Sequence, residues 1–438
     1  MLRFGIIFRL AIVLFVLASV CASTFHLKEK FIPRTGFTKI GPSDKFLDHE
    51  VVIAVEKKNM AVLEATVLER ATPGSRIYQQ WLGYDEITEI VRNDEGFESV
   101  SDWLAKEGVT VSWVSRRRDY IKATAPIGKW EELLNTNFYE YEDESIKPSE
   151  RMMQTGVNRH GEKRKGKVIH RAEEYFIPTE LKDHVFAVFN TVQTPPPYKA
   201  KYRVRESAKH GTPFKSNLRI GAPVQSRASS GAAPQTTYDG TVTVSFLNSY
   251  YEIPSNIGSA SLSQSVFETS TEYFSTQDLT SFQQTYGLTV QSAQQIGGHQ
   301  LTTCPTNSNT EDCYEGNLDI QYIMGVAQMT TSIYWWVTDS SSTDPFLAWI
   351  TAVADETNPP KSNSMSWGSV EELESAATMT SFNNEAIILG GMGVTVTVSS
   401  GDDGAPNEYN SCLCDYNSGS STTSWTVCRI NRNNSTLL

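Results

Sequence analysis

Positive charge and histidine are both scarce in this chain. Its 438 residues carry 38 Lys and Arg against 50 Asp and Glu, a formal net charge of -12. A phosphate backbone meets repulsion on such a surface, which argues against nucleic-acid binding. Of seven histidines, only His299 follows the Ser/Gly/Ala/Pro-rich stretch that ends near Thr237. An ordinary Ser-His-Asp hydrolase site therefore has little to be built from. Six cysteines occur, with no CxxC…CxxC pattern and no HExxH, so a zinc site is not indicated. After residue 22 no run is long and apolar enough to span a bilayer, so no membrane partner is expected. What remains is a globular composition, 39% hydrophobic and 20% charged. A chain of this length is expected to form roughly two to three domains.

The first feature present is a leader. Arg3 and Arg9 form a positive start, Leu10 to Val20 is a short apolar core, and Val20-Cys21-Ala22 places small residues at the cleavage positions. Residues 1–22 are accordingly expected to be a signal peptide, and the mature protein to be exported, secreted or sent to a lysosome-like acidic compartment. Export passes through oxidising conditions, so disulfides are permitted. Cys304 and Cys313 bracket one polar loop and are candidates to pair. Cys412, Cys414 and Cys428 are odd in number and their pairing stays open.

Residues 23–194 read as one α+β unit. Met60 to Arg70 has helical periodicity and ends at Thr72-Pro73-Gly74. Tyr84 to Arg92 and Val100 to Lys106 follow as short helices, and Val109 to Val114 and Tyr120 to Ala123 as strands. Arg151 to Arg171 is basic and polar, either a solvated loop or a processing patch. Residues 195–237 open with Pro195-Pro196-Pro197 and have almost no core-forming residues from Ser226 on, the marks of a protease-accessible linker. From residue 238 helices alternate with strands, at Thr276 to Tyr286, Leu318 to Met329, Ile333 to Val337, Pro345 to Ala354, Asn363 to Trp367, Val370 to Leu389 and Val394 to Val398. That order predicts an α/β layer with a mostly parallel sheet over residues 238–438.

Two segments carry candidate chemistry. In Glu315-Gly316-Asn317-Leu318-Asp319-Ile320-Gln321-Tyr322 the carboxylates stand four apart, hence on one helix face. The helix is apolar nearly all round, which predicts burial, and buried carboxylates are costly unless paired or used. The same spacing also fits a surface helix start, where acids favour the dipole. The second segment, Ser399-Ser400-Gly401-Asp402-Asp403-Gly404, follows a β-branched strand directly. Carboxyl ends of strands are favoured site positions in α/β proteins, although Gly-Asp also suits a simple turn.

Together the two segments resemble the sedolisin family of serine-carboxyl peptidases, tripeptidyl-peptidases in particular. Glu315, Leu318, Asp319, Gln321 and Tyr322 match its helix motif, and Ser400, Gly401, Asp402 and Gly404 its strand-end motif. Asn363 to Gly368 resembles the strand between them. The first unit resembles a pro-kumamolisin-type activation propeptide, through Trp81-Leu82 and through Tyr175, Ile177, Pro178, His184 and Val185. The resemblance runs from about Val51 to Pro406. It implies an α+β propeptide followed by a subtilisin-like α/β domain, peptide substrates, the chain's own propeptide as intramolecular inhibitor, and a Ser-Glu-Asp triad. Glu315 would be the general base, Asp319 would hold and tune it, and Asp402 would supply the oxyanion donor. A carboxylate base suits acid, because a base is most efficient near its own pKa.

The match is incomplete. The family's Gly-Thr-Ser-Ala-Ser motif does not occur, and residues 422–438 are unlike family sequence. The calcium site that the resemblance implies for a full-length member would lie beyond this chain, and no cofactor is expected within it. The peptidase domain is thus expected to be incomplete and the chain inactive as it stands. The alternative is a non-enzymatic role, as a pseudopeptidase or as a propeptide that acts as inhibitor or chaperone.

Overall fold

A computed structural model describes residues 24–33, 36–143, 167–195, 199–200, 242–304, 313–338, 343–368 and 374–401. The leader 1–22, most of the 195–237 linker, Asp402 and the tail with Cys412, Cys414 and Cys428 lie outside the described residues.

The first unit contains β1 (Phe25–Lys30), β2 (Phe37–Pro42), β3 (Asp48–Val55), α1 (Met60–Ala71), α2 (Tyr84–Val91), α3 (Asp94–Lys106), β4 (Thr110–Val114), β5 (Tyr120–Pro126), α4 (Ile127–Leu133), β6 (Phe138–Asp143), β7 (Lys167–Ala172), β8 (Glu174–Pro178) and β9 (Val185–Phe189). Its main sheet is antiparallel in the order β4-β5-β3-β9. The two-residue period of β3 serves two cores. Val51, Ile53 and Val55 point into a core with Val100, Leu104, Trp130 and Phe138, while Ala54 and Val52 face the other way. Trp130 is fully buried and donates from Nε1 to the His49 carbonyl at 2.8 Å. Burying an aromatic of this size contributes about 2–3 kcal/mol. Asn93 caps α3 by accepting from the Gly96 amide at 3.1 Å, so the helix starts six residues before the apolar stripe suggests.

After β10 (Lys199–Ala200) and α5 (Val244–Tyr250), the second unit alternates β11 (Ser263–Glu268), β12 (Phe274–Ser275), α6 (Thr276–Thr285), β13 (Gln294–Ile296), β14 (Gln300–Leu301), α7 (Tyr314–Val326), β15 (Thr331–Trp336), α8 (Pro345–Ala354), β16 (Ser362–Met365), β17 (Trp367–Gly368), α9 (Ala376–Gly391) and β18 (Thr395–Val398). Five strands form one sheet in the order β13-β15-β11-β16-β18, parallel throughout. Both faces are covered, as a parallel sheet requires. On β11, Val266 faces α6 and α7 and Phe267 faces α8 and α9, and on β15 Tyr334 and Trp335 divide in the same way.

The helix starts follow local chemistry. Asp344 accepts from the Phe346 and Leu347 amides at 2.8 and 3.0 Å, with Pro345 at the first helical position of α8. Ser375 caps α9 through the Thr378 amide at 3.1 Å, so the helix begins at Ala376 and not at Val370. The apolar reading of α7 needs correction on one side. Glu315, Gly316, Ile320, Met324 and Gly325 are buried, but Tyr314 and Leu318 are 65% and 45% exposed. Among the described residues no helix is long and apolar enough to cross a membrane.

The two units share a core. Leu63, Ile87, Val91 and Tyr120 of the first pack with Trp349, Ile350, Ile388 and Leu389 of the second, so α8 and α9 are covered by the sheet on one side and by the first unit on the other.

Candidate active site

Helix α7 begins beside the carboxyl ends of the parallel strands, and its first turn is held by its neighbours. Cys313, the residue before it, is disulfide-bonded to Cys304. Asn317 accepts from the Ser275 amide at 2.9 Å and donates to Asp278 Oδ2 at 3.0 Å, which ties α7 to the start of α6. Gly316 permits the approach, since a Cβ there would lie 2.4 Å from the Tyr273 carbonyl oxygen and 2.6 Å from the Tyr334 hydroxyl.

The docked turn brings carboxyls together. Glu315 is 2% exposed and Glu272 3%. The Gly316 amide donates to Glu272 Oε2 at 3.1 Å. The loop carrying Glu272 is fixed by Thr269, whose hydroxyl donates to the Thr338 carbonyl at 2.7 Å, and by Trp336, whose Nε1 donates to the Ser270 carbonyl at 3.1 Å. One turn after Glu315, Asp319 accepts from the Ser366 hydroxyl at 2.7 Å. Glu268 ends β11, fully buried, and accepts from Trp367 Nε1 at 2.8 Å.

This arrangement favours shared protons. Burial pushes the Glu268 carboxyl well above its usual range, and the neighbouring charges of Asp319, Glu272 and Glu315 push it further. Asp319 is pushed up to about 6, chiefly by burial, against a smaller opposing effect of the Ser366 hydrogen bond. Glu268 Oε1 makes no hydrogen bond among the described residues, a state that a neutral acid tolerates far better than an anion. Carboxyls packed this closely titrate as a group, some neutral while another is ionised. The arrangement can therefore hold a proton acceptor and a proton donor side by side at mildly acidic pH.

Of the residues singled out from sequence, Glu315 and Asp319 lie in this cluster. Asp402 falls outside the described residues. The segment leading to it reaches the same end of the sheet, since Met365 of β16 aligns with Val398 of β18 and the Ser399 amide donates to the Met365 carbonyl at 3.0 Å. Sequence reasoning missed Glu268, Glu272, Ser366 and Trp367. One signal was available for Glu268 and Trp367, namely a polar residue or an N–H donor at the carboxyl end of a predicted parallel strand. Among the described residues no group of three or more His, Cys, Asp or Glu is arranged to hold a metal ion.

Comparison with known proteins gives the following similarities. Residues 35–194 match the model of the pro-kumamolisin activation domain. The chain is 27% identical over 380 residues to physarolisin from Physarum polycephalum, covering 82% of this chain and 55% of that protein. It is 25% identical over 373 residues to tripeptidyl-peptidase 1 from Dictyostelium discoideum, covering 81% and 57%, and 22% identical over 405 residues to the Rattus norvegicus protein of that name, covering 90% and 63%. The chain thus spans about 55–63% of the length of these relatives. Among solved structures, a Pseudomonas sedolisin (serine-carboxyl proteinase) complexed with two molecules of pseudo-iodotyrostatin is 23% identical with a TM-score of 0.27, over 36% of this chain and 44% of that one. The chain is thus similar to sedolisin-type peptidases, tripeptidyl-peptidases among them, and its residues 35–194 match a pro-kumamolisin activation domain.

Proposed function

We propose that the chain is the zymogen form of an exported, acid-acting serine-type peptidase, with residues 35–194 as its inhibitory propeptide and a subtilisin-like domain after it. The observation that carries this reading is the cluster of Glu268, Glu315 and Asp319 at the carboxyl end of a parallel sheet, in which Asp319 is held near 6. In this reading Glu315 takes the proton of a serine hydroxyl as that oxygen attacks the peptide carbonyl, and later returns it to the leaving amine. Asp319 orients Glu315, and Ser366 positions Asp319. A protonated Asp402 donates to the oxyanion, which acid favours. The 438 residues contain no Gly-Thr-Ser-Ala-Ser motif, and the serine of this reading is not among them. Calcium, in this reading, would be bound only by a longer form. Substrates are peptides or proteins, and the leader directs export.

The alternative is a non-enzymatic pseudopeptidase or inhibitor, and one assay separates the two. A form extended with the serine segment should cleave peptides in acid and lose activity toward neutral pH. Glu315→Ala in that form should lower kcat by about 10³–10⁴-fold without loss of fold by circular dichroism. The 438-residue chain should show no turnover. Activity of the extended form that peaks above about pH 7, or that survives Glu315→Ala, refutes the assignment.

A further inference from the structure

A separate buried charge group lies at the junction of the two units. Lys57, in the turn between β3 and α1, has a side chain only 5% exposed. Its ammonium stands 3.0 Å from Asp119 of its own unit and 2.8 Å from Glu385, which α9 supplies from the other. Glu385 also accepts from the Tyr120 hydroxyl at 3.0 Å, and the ammonium sits 4.3 Å from the centre of that tyrosine ring. Ser115 fixes Asp119 through a 2.6 Å hydrogen bond. The propeptide thus brings a lysine backed by its own carboxylate, and the catalytic unit offers one buried carboxylate in return.

The surroundings favour a specific fit. The Leu82 amide donates to the Gly391 carbonyl at 2.8 Å. Trp81 lies against Gly393, where a Cβ would come within 2.3 Å of the indole. Arg117 donates to the Ala354 carbonyl at the end of α8, and the Arg116 amide donates to Asp355 at 2.7 Å. Apolar packing around these contacts supplies the adhesion, and buried charge supplies the discrimination.

We propose that Lys57 is the residue by which the activation domain recognises its catalytic partner, and that the face of α9 around Glu385 is a docking surface for an inserted, carboxylate-backed lysine. A partner without that ammonium leaves Glu385 buried and uncompensated and is rejected. The inference rests on reading residues 35–194 as the propeptide, but its test needs no turnover, so its failure and that of the peptidase reading are seen separately.

The test is hydrogen exchange in the 438-residue chain, with Lys57→Met against the unchanged protein. The Leu82 amide reports the junction, and the Ile53 and Ile121 amides report the propeptide sheet. Lys57→Met should speed exchange at Leu82 by about 100-fold or more, with less than about threefold change at Ile53 and Ile121. Protection at Leu82 in the variant should partly return as pH is lowered from neutral. The groups facing the vacated slot are Asp119, Glu385 and Tyr120, with Arg117, Tyr84 and Asp355 beside them. The orphaned carboxyls take up protons there and lose their repulsion. Glu385→Gln, altered from the other side, should open the same amide. Unchanged exchange at Leu82, equal acceleration of all three amides, or an opening that ignores pH overturns the proposal.

Discussion

Two groups of buried carboxyls can be compared within this one chain. At the junction, Asp119 and Glu385 close on the Lys57 ammonium. At the end of the parallel sheet, Glu268 and Asp319 meet other carboxyls, a tryptophan N–H and a serine hydroxyl. Burial disfavours charge in both places. Burial pushes Asp119 up as well, but Lys57 and the Ser115 hydroxyl outweigh it and leave the group below its usual range. At Asp319 the single Ser366 donor does not outweigh burial, and the group is left near 6. Glu385, beside the same ammonium, is still left above its usual range by burial, so one cation shared by two buried acids holds Asp119 charged and only offsets the burial of Glu385, whereas at Asp319 no cation offsets burial at all.

The comparison can be broken by substitution. The largest effect is expected from Gly316→Ala, which forces a methyl against the Tyr273 carbonyl and the Tyr334 hydroxyl. Denaturant unfolding should show a loss of about 3 kcal/mol, and the carboxyl cluster should lose its shifted titration with it. A loss below about 0.5 kcal/mol would show that α7 does not depend on this close approach.

Next in size is Glu385→Gln, which removes one of the two carboxyls that meet Lys57. It should cost about 1–3 kcal/mol at pH 7. Asp319→Asn should act with the opposite sign. A carboxyl whose folded pKa lies above its unfolded value weakens the fold above about pH 6, and that penalty fades as pH falls toward 4. The amide substitution should therefore stabilise the protein slightly at pH 7 and give nothing at pH 4. Unfolding midpoints at both pH values check this, and effects of the same sign at positions 385 and 319 at pH 7 would erase the distinction drawn here.

Much of the fold is legible in the sequence where local chemistry decides it. Pro345–Ala354 is found to the residue, because Asp344-Pro345 is a complete start signal. Helix α7 is harder, since its apolar run suggests a start at Leu318 while docking at Gly316 and the Cys304–Cys313 bond place it at Tyr314. Glu315 and Asp319 can be found because both sit on one helix with a family spacing. Glu268, Ser366 and Trp367 reach the site from separate strands, so no local pattern joins them to α7. Lys57 reads as one more charge at a helix start, and only the packing of α1 and α2 on α9 shows that it is buried against Glu385.

The reading of Glu268, Glu315 and Asp319 as an acid–base group able to exchange protons in mild acid is open to direct test. The most direct measurement is a ¹³C NMR titration of the aspartate carboxyls in the 438-residue chain, with the Asp319 signal assigned by its loss in Asp319→Asn. Asp319 should show a midpoint near 6, moving higher in Ser366→Ala, because the hydroxyl that favours the ionised form is gone. A midpoint in the ordinary aspartate range near 4, unmoved by Ser366→Ala, would contradict it.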